Sequence, residues 1–341
     1  MSHENISIRE SINSVGSNEL FVCIGYGDEL PVYARARALW QFYGSFFPGV
    51  KIIFVKTSSD LEIGEVVSDG YDLLVGIKGS TLNDTGDPGY KETGKWSRSE
   101  NHRVISRQVA VYDYLLSHSS RPFFIFHTTI TSVIDFRGLL ELLPALPKHG
   151  CFAGSPVRLS GPPELSGFTF LSGANTLISS DLAALLRSRF NHTATEMGWP
   201  NDVWQALTLK EFDRMLIPIC SFIKPRMSIE SLNSVPLLIS RLLDLGYFHF
   251  RIRTSVEDDA IGRREDSEPW IMEKVMETIL GCPWRPQAAL QFRQQFIAFI
   301  APQSGDTLAP FCAAPIYTGP HNFPSNDYDA EGFYLGTQEL S

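Results

Sequence analysis

The chain has 341 residues, 43% hydrophobic and 12% aromatic, which is enough apolar side chain for a substantial core in one large domain or two small ones and excludes a disordered or fibrous protein. A formal net charge of -9 excludes an extended nucleic-acid footprint, which needs clustered positive charge to displace counterions from phosphates; a local arginine cluster remains compatible with a small phosphorylated ligand. Cys23, Cys151, Cys220, Cys282 and Cys312 are scattered, with neither a C-x-x-C pair nor a zinc-like His spacing, so they read as reduced, buried thiols. The first residues, MSHENISIRESINS, are polar and lack a signal-peptide core. No later segment approaches the roughly 20 apolar residues of a spanning helix. The expectation is a cytoplasmic enzyme without stable membrane insertion.

Four apolar runs punctuate the first half: LFVCIG at 20–25, IIFV at 52–55, YDLLVGI at 71–77 and PFFIF at 122–126. None alternates polar with apolar, the pattern of strands buried on both faces in a mainly parallel sheet covered by helices. Between the first two, Val32, Leu39, Trp40, Tyr43 and Phe47 recur at helical spacing behind Pro31, which suits a first turn. Residues 79–101, rich in Gly and charge, read as a long functional loop, and 103–117 as an amphipathic helix leading into PFFIF. Asp135 is placed to cap the helix FRGLLELL.

In the second half FTFLSG (168–173) reads as a strand, SSDLAALLRSR (179–189) as a capped helix and NDVWQALTLKEF as another, followed by the alternating strand HFRIR (249–253). Helices are predicted over 269–280 and 286–300. The fold class is therefore α/β, a mixed, mainly parallel sheet flanked by helices. The expected organisation is a flexible N-terminus (1–18), one domain (19–255), a helical extension packed on it (256–301) and an irregular tail (302–341) that wraps the domain or provides a contact for self-association.

Ligands of open α/β sheets bind beyond the carboxyl ends of the strands. After the first run come Gly25, Tyr26 and Gly27, which permit close backbone approach or make a tight turn. After the fourth come His127, Thr128 and Thr129, hydroxyl-rich and suited to sugar or phosphate oxygens, or else ordinary β-branched residues beside a structural histidine. Ser172, Gly173 and Ala174 read as a small-residue turn between a strand and a helix, where a substrate could meet the backbone. Asn201, Asp202 and Trp204 open a helix, where a carboxylate serves either as a cap or as a base for an attacking hydroxyl. His249, Arg251 and Arg253 alternate, so all three project to one strand face, which suits a diphosphate or a solvated surface.

Taken together, these segments resemble a known group. Arg37-Ala38-Leu39-Trp40 is similar to the R-x-T-W element of β-1,3-galactosyltransferases and fringe-like enzymes. KIIFVKT and YDLLVGI resemble that family's second and third strands, and SRQVAVYDYL its helix before the metal motif. FLSGANTLISSDLAALL resembles its Ser-Gly-x-x-x-x-(Ile/Leu)-Ser-x-Asp-(Leu/Val) segment, and NDVWQALTL its acidic E/D-D-V-x-x-G segment. The resemblance runs in order from about Leu20 to Ile219. It implies a GT-A fold, a nucleotide-sugar donor, a glycan acceptor and an inverting displacement with Asp202 as general base. Arg37, Asp72 and Arg107 are implied on the donor side together with Gly25, Tyr26, His127, Thr128, Thr129, His249, Arg251 and Arg253. Ser172, Gly173, Ala174, Asn201 and Trp204 are implied on the acceptor side.

Two departures matter. The family places Asp-x-Asp at the end of the fourth run to hold a divalent cation, which needs oxygen ligands. This chain has His127-Thr128-Thr129 there and no acid until Asp135, and FFIFHTTITS is similar instead to bacterial and large-virus enzymes with Arg-Thr-Asn-Leu-Ser-Ser. The expectation is that no metal is bound, with Arg251, Arg253 and His249 neutralising the leaving diphosphate. The glycine after D-V is also replaced, by Gln205-Ala206. The alternatives are a carbohydrate-binding or scaffold protein without catalysis, and a Rossmann-like methyltransferase or dehydrogenase. The last would place an acid at the end of strand two, where the sequence reads IIFVKTSSD.

Overall fold

Strands with no polar face need cover on both sides, and the fold supplies it. A computed structural model describes residues 19–26, 31–78, 98–158, 168–191, 199–210, 212, 215–218, 222–223, 232–244, 246–252 and 264–282. The strands are β1 (Glu19–Gly25), β2 (Lys51–Glu62), β3 (Val66–Asp69), β4 (Asp72–Lys78), β5 (Phe123–Thr129), β6 (Ser132–Ile134), β7 (Cys151–Arg158), β8 (Thr169–Ser179), β9 (Met215–Pro218), β10 (Phe222–Ile223) and β11 (His249–Arg251). The helices are α1 (Pro31–Gly44), α2 (Arg98–His118), α3 (Phe136–Leu142), α4 (Ser180–Arg189), α5 (Asn201–Leu209), α6 (Val235–Asp244) and α7 (Arg264–Gly281).

Eight strands form one sheet in the order β3-β4-β2-β1-β5-β8-β7-β9. The four apolar runs become its parallel centre, β4-β2-β1-β5. β8 then enters antiparallel between β5 and β7, so the sheet is mixed and mainly parallel. Alternate residues of β1 serve opposite cores. Leu20, Val22 and Ile24 join α1, α3, α6 and α7 on one face. Phe21 and Cys23 join α2, α4 and α5 on the other.

On the first face, α1 is fixed by its aromatic stripe. Tyr43 stacks on Phe136, with ring centroids 5.7 Å apart, and Trp40 and Phe47 close around the same ring. Their polar atoms are used too. Trp40 Nε1 donates to the Ile130 carbonyl (2.9 Å) and the Tyr43 hydroxyl to that of Ile134 (2.7 Å), so helix α1 holds the turn after β5 and the far end of β6. The core also imposes its low polarity on the hydroxyl, and burial pushes the Tyr43 phenol well above its usual range.

β6 belongs to a second sheet of order β10-β11-β6. There the Asp135 amide donates to the Phe248 carbonyl (2.7 Å). The Asp135 side chain caps α3 through the Arg137 amide (3.1 Å), as its position in the sequence predicts, and accepts two further bonds from the Arg137 guanidinium (2.8 and 3.0 Å). Arg137 in turn donates to the Ile279 carbonyl (2.8 Å) and to that of Cys282, tying down the end of α7. α7 packs along α1 and α6.

Several boundaries differ from the sequence reading. α2 begins at Arg98, so the last residues of the supposed loop 79–101 are helical, and 79–97 lie outside the described residues. α7 begins five residues before Pro269 and carries that proline inside it. Ser179 does not cap α4 with its side chain; its hydroxyl accepts from the Cys151 amide (3.0 Å). β11 ends at Arg251 rather than Arg253. The N-terminus (1–18), the helix proposed for 286–300 and the tail lie outside the described residues. Cys23 and Cys151 are buried free thiols and Cys282 a half-buried one. Among the described residues no helix is long and apolar enough to cross a membrane.

Asp135 is fully buried, whereas the Arg137 side chain keeps 28% of its exposure. Asp135→Ala removes a cap and strands a half-buried guanidinium, a loss of about 2–4 kcal/mol after allowance for that exposure. Urea unfolding checks it: the midpoint is expected to fall with an unchanged slope.

Candidate functional site

The carboxyl ends of β1 and β5 and the middle of β8 lie side by side. Gly25 pairs with Val55 on one flank and Thr129 on the other, and Thr128 pairs with Asn175 of β8. Three sets of side chains open on this line.

The first set comes from α2. Its chain runs into β5 after a short turn, so its N-terminal half lies over the strands' carboxyl ends. Arg107 reaches the missing side chain of Gly25: a Cβ there would stand 2.9 Å from a terminal guanidinium nitrogen. Burial, and then Arg103 one turn earlier, lower the Arg107 pKa to about 10. Below it lies His127, whose ring meets the edge of Tyr112 (centroids 5.3 Å). Burial and the neighbouring Arg107 push this imidazole down to about 3, so it is neutral at ordinary pH.

The second set is built on an irregularity in β8. Register with β7 shifts between Gly154 and Pro156, leaving Ser172–Asn175 as a bulge opposite Ser155. Side chains close it. Asn175 accepts from the Ser155 amide (3.1 Å) and donates to its hydroxyl (3.2 Å), and Thr176 donates to the Ser172 carbonyl (2.9 Å). The freed Gly173 amide donates to Asp202 Oδ2 (3.1 Å), while Asp202 Oδ1 accepts from the Val203 amide (2.9 Å). Gly173 packs closely here, since a Cβ would lie 3.2–3.4 Å from Asn201 and Asp202 side-chain atoms. Burial raises the Asp202 pKa above the usual carboxylate value, against the opposing effect of these amide bonds. Gln108 on α2 joins the set by accepting from Asn201 (3.4 Å) and Gln205 (3.1 Å).

Ser172, Gly173 and Ala174 therefore do not form a turn between strand and helix, as expected from their small side chains. They lie inside an eleven-residue strand, bulged where the sheet meets α5; bulges recur beside functional sites because they re-aim the chain. Ser172 and Ala174 are buried. The Trp204 ring turns onto Phe190 (5.7 Å).

The third set lines a cleft of about 320 Å3 on the α1 face, bounded by Tyr26, Ala34, Arg37, Lys56 and Asp72. Asp72 organises it, accepting from the Tyr26 hydroxyl (3.1 Å) and from two Arg37 nitrogens (2.9 and 3.3 Å). Arg37 also covers the Phe54 ring at 4.9 Å. The volume sits at the lower end for small-molecule pockets.

Of the row of three cations expected on β11, His249 carries no charge. His249 is fully buried beneath the end of β5, with Nε2 2.8 Å from the Thr128 hydroxyl. Burial and Arg251 push its pKa to about 3, so it contributes no charge. Thr129 shares a hydroxyl contact with Ser132 (2.9 Å). Arg251 is half-buried at the strand end, and Arg253 lies outside the described residues.

Sequence reasoning overlooked Arg103, Gln108 and Lys56. The spacing of Arg103 and Arg107, four residues apart on one helix face, carried a signal; the partnership of Gln108 with Gln205, 97 positions away, carried none. Among the described residues no group of three His, Cys, Asp or Glu side chains is placed to hold a metal ion. No protein-family model matches the chain, and no curated protein matches it.

Both histidines have folded pKa values near 3 against 6.5 unfolded, so the unfolded chain binds more protons below pH 6.5. Their contribution to stability is complete above that pH and is lost as pH falls toward 3. Each is expected to remove about 2 kcal/mol between pH 7 and pH 5. Unfolding of His249→Gln, measured across this range, should show a correspondingly shallower pH dependence.

Proposed function

We propose that the chain is a GT-A-type glycosyltransferase that moves a sugar from a nucleotide-sugar donor to a glycan hydroxyl with inversion. The observation that carries the reading is Asp202. It is a half-buried carboxylate, with raised proton affinity, at the bulge that ends the same row of strands as Gly25, Thr128 and Thr129. A carboxylate whose pKa is raised above its usual value is better matched to taking a proton in the transition state.

Each part has a role in this reading. The cleft at Tyr26, Arg37, Lys56 and Asp72 receives the nucleoside, and the diphosphate crosses the ends of β1 and β5. The acceptor approaches the β8 bulge and Asn201. Its hydroxyl oxygen attacks the anomeric carbon, the proton passes to Asp202, and the bond from that carbon to the phosphate oxygen breaks. The electron pair leaves with the nucleoside diphosphate. The mixed sheet, with one antiparallel strand beside β5 and a small second sheet after it, is consistent with a GT-A arrangement.

A second reading, a carbohydrate-binding protein without catalysis, is favoured by one feature. Each Asp202 oxygen already accepts a backbone amide, as a purely structural carboxylate would. The Rossmann-like alternative has less support, because Val55, opposite Gly25, occupies the place where an acid would meet a ribose.

A panel of nucleotide sugars assayed for hydrolysis and transfer tests the activity, and Asp202→Asn separates the first two readings. Turnover is expected to fall about a hundredfold to ten-thousandfold with donor affinity and melting temperature nearly unchanged; a variant that turns over normally makes Asp202 a structural residue. Calorimetry with nucleoside diphosphate is expected to give the same affinity with and without chelator, and binding that requires added manganese or magnesium would refute metal independence.

A further inference from the structure

The strongest unabsorbed feature is a positive charge without a counter-charge. Among the described residues Arg107 has no carboxylate partner and no hydrogen bond, although its guanidinium lies against the backbone at Gly25. Other arginines of the fold are paired with carboxylates: Arg37 with Asp72, Arg137 with Asp135, Arg187 with Asp113. Arg107 instead has Arg103 on its own helix face and a neutral imidazole beneath it. A half-buried guanidinium without a carboxylate beside it, its charge opposed by a neighbouring arginine, is completed by an anion that reaches it from solvent. The missing side chain of Gly25 leaves the space in which the guanidinium stands, and the Thr129 pairing places a hydroxyl-bearing residue on the next strand.

We propose that Arg107, over Gly25 at the end of β1, is an oxyanion-binding residue that takes a phosphate group, and that it supplies the charge first expected of β11. The assignment to the donor's diphosphate rests on the glycosyltransferase reading; the oxyanion site itself does not. A planar guanidinium presents paired donors to two phosphate oxygens. Oxygen atoms held there lie at the carboxyl end of β1, beside the strand that carries Thr129. Charge growing on a leaving diphosphate would meet a fixed cation already in place, with no reorganisation at the moment of reaction.

The probe is inorganic pyrophosphate, titrated calorimetrically into the full chain, with the uridine, guanosine, adenosine and cytidine diphosphates in parallel arms. The parent is expected to bind pyrophosphate. Arg107→Met should weaken it about ten- to a hundredfold, as expected for one charge-assisted contact, while Arg187→Met, a surface change on α4, leaves it unaltered. Gly25→Ala crowds the guanidinium without removing charge and is expected to weaken binding several-fold. In anion-free buffer Arg107→Met should melt no lower than the parent, and it should lose the rise in melting temperature that pyrophosphate gives the parent.

Tighter binding of one nucleoside diphosphate identifies a nucleotide as the source of the phosphate, whereas equal affinity for all arms identifies a free anion. A parent that does not bind pyrophosphate, or affinity unchanged in both Arg107→Met and Gly25→Ala, overturns the proposal even if sugar transfer is found. Conversely, Arg107-dependent pyrophosphate binding without turnover of any nucleotide sugar upholds the oxyanion site and removes the glycosyltransferase reading.

Discussion

One ion pair, between a buried carboxylate and a half-buried guanidinium, couples the parts of this molecule. Asp135 and Arg137 sit where the main sheet hands over to the second one, and between them they cap α3, fix the strand beside Phe248 and hold the carbonyl end of α7. A pair with one partner buried contributes little net stability compared with an apolar replacement, but leaving the buried Asp135 without its guanidinium is costly. Its effect is therefore on geometry. With Trp40 and Tyr43 bonded to the backbone at Ile130 and Ile134, the turn that follows β5 has few ways to move, and that turn borders the candidate site.

Within the site, burial divides the ionisable groups by type. His249, which the sequence offers as a cation, and His127 are both held neutral, because desolvation disfavours the charged imidazole and an arginine adjoins each of them. Arginine, with a far higher intrinsic pKa, keeps its charge in a comparable setting even after a lowering to about 10. The site thus carries positive charge that does not titrate near neutrality, beside a carboxylate whose proton affinity is raised.

The legible part of the fold was the part that burial alone dictates. Continuous apolar runs at β1, β2, β4 and β5 announce strands covered on both faces, and the helical spacing of Trp40 and Tyr43 announces α1. Strands of two to four residues, such as β3, β6 and β10, are too short for any period to register. β8 was half-legible: Ser-Gly-Ala-Asn has the composition of a turn, and only the shifted register with β7 makes it a bulge. The alternation His-Phe-Arg correctly marks β11, but period two cannot say which face is buried. Asp202 was legible as a first-turn acid. Its partner Gly173 was not, because the bond spans 29 residues and depends on where α5 docks.

The order of strands also bears on how the chain is made. The four parallel strands β4-β2-β1-β5 are complete once residue 129 has emerged from the ribosome, but β5 gains its outer neighbour only with β8, ending at Ser179. During the synthesis of some fifty residues, a matter of seconds at cellular elongation rates, the apolar segment Phe123–Phe126 stands as an unpaired edge of a nascent sheet. Such an edge is a template for pairing with other chains. The antiparallel strand that shapes the site in the finished molecule is therefore also the one whose arrival closes the interval of greatest exposure to misassembly.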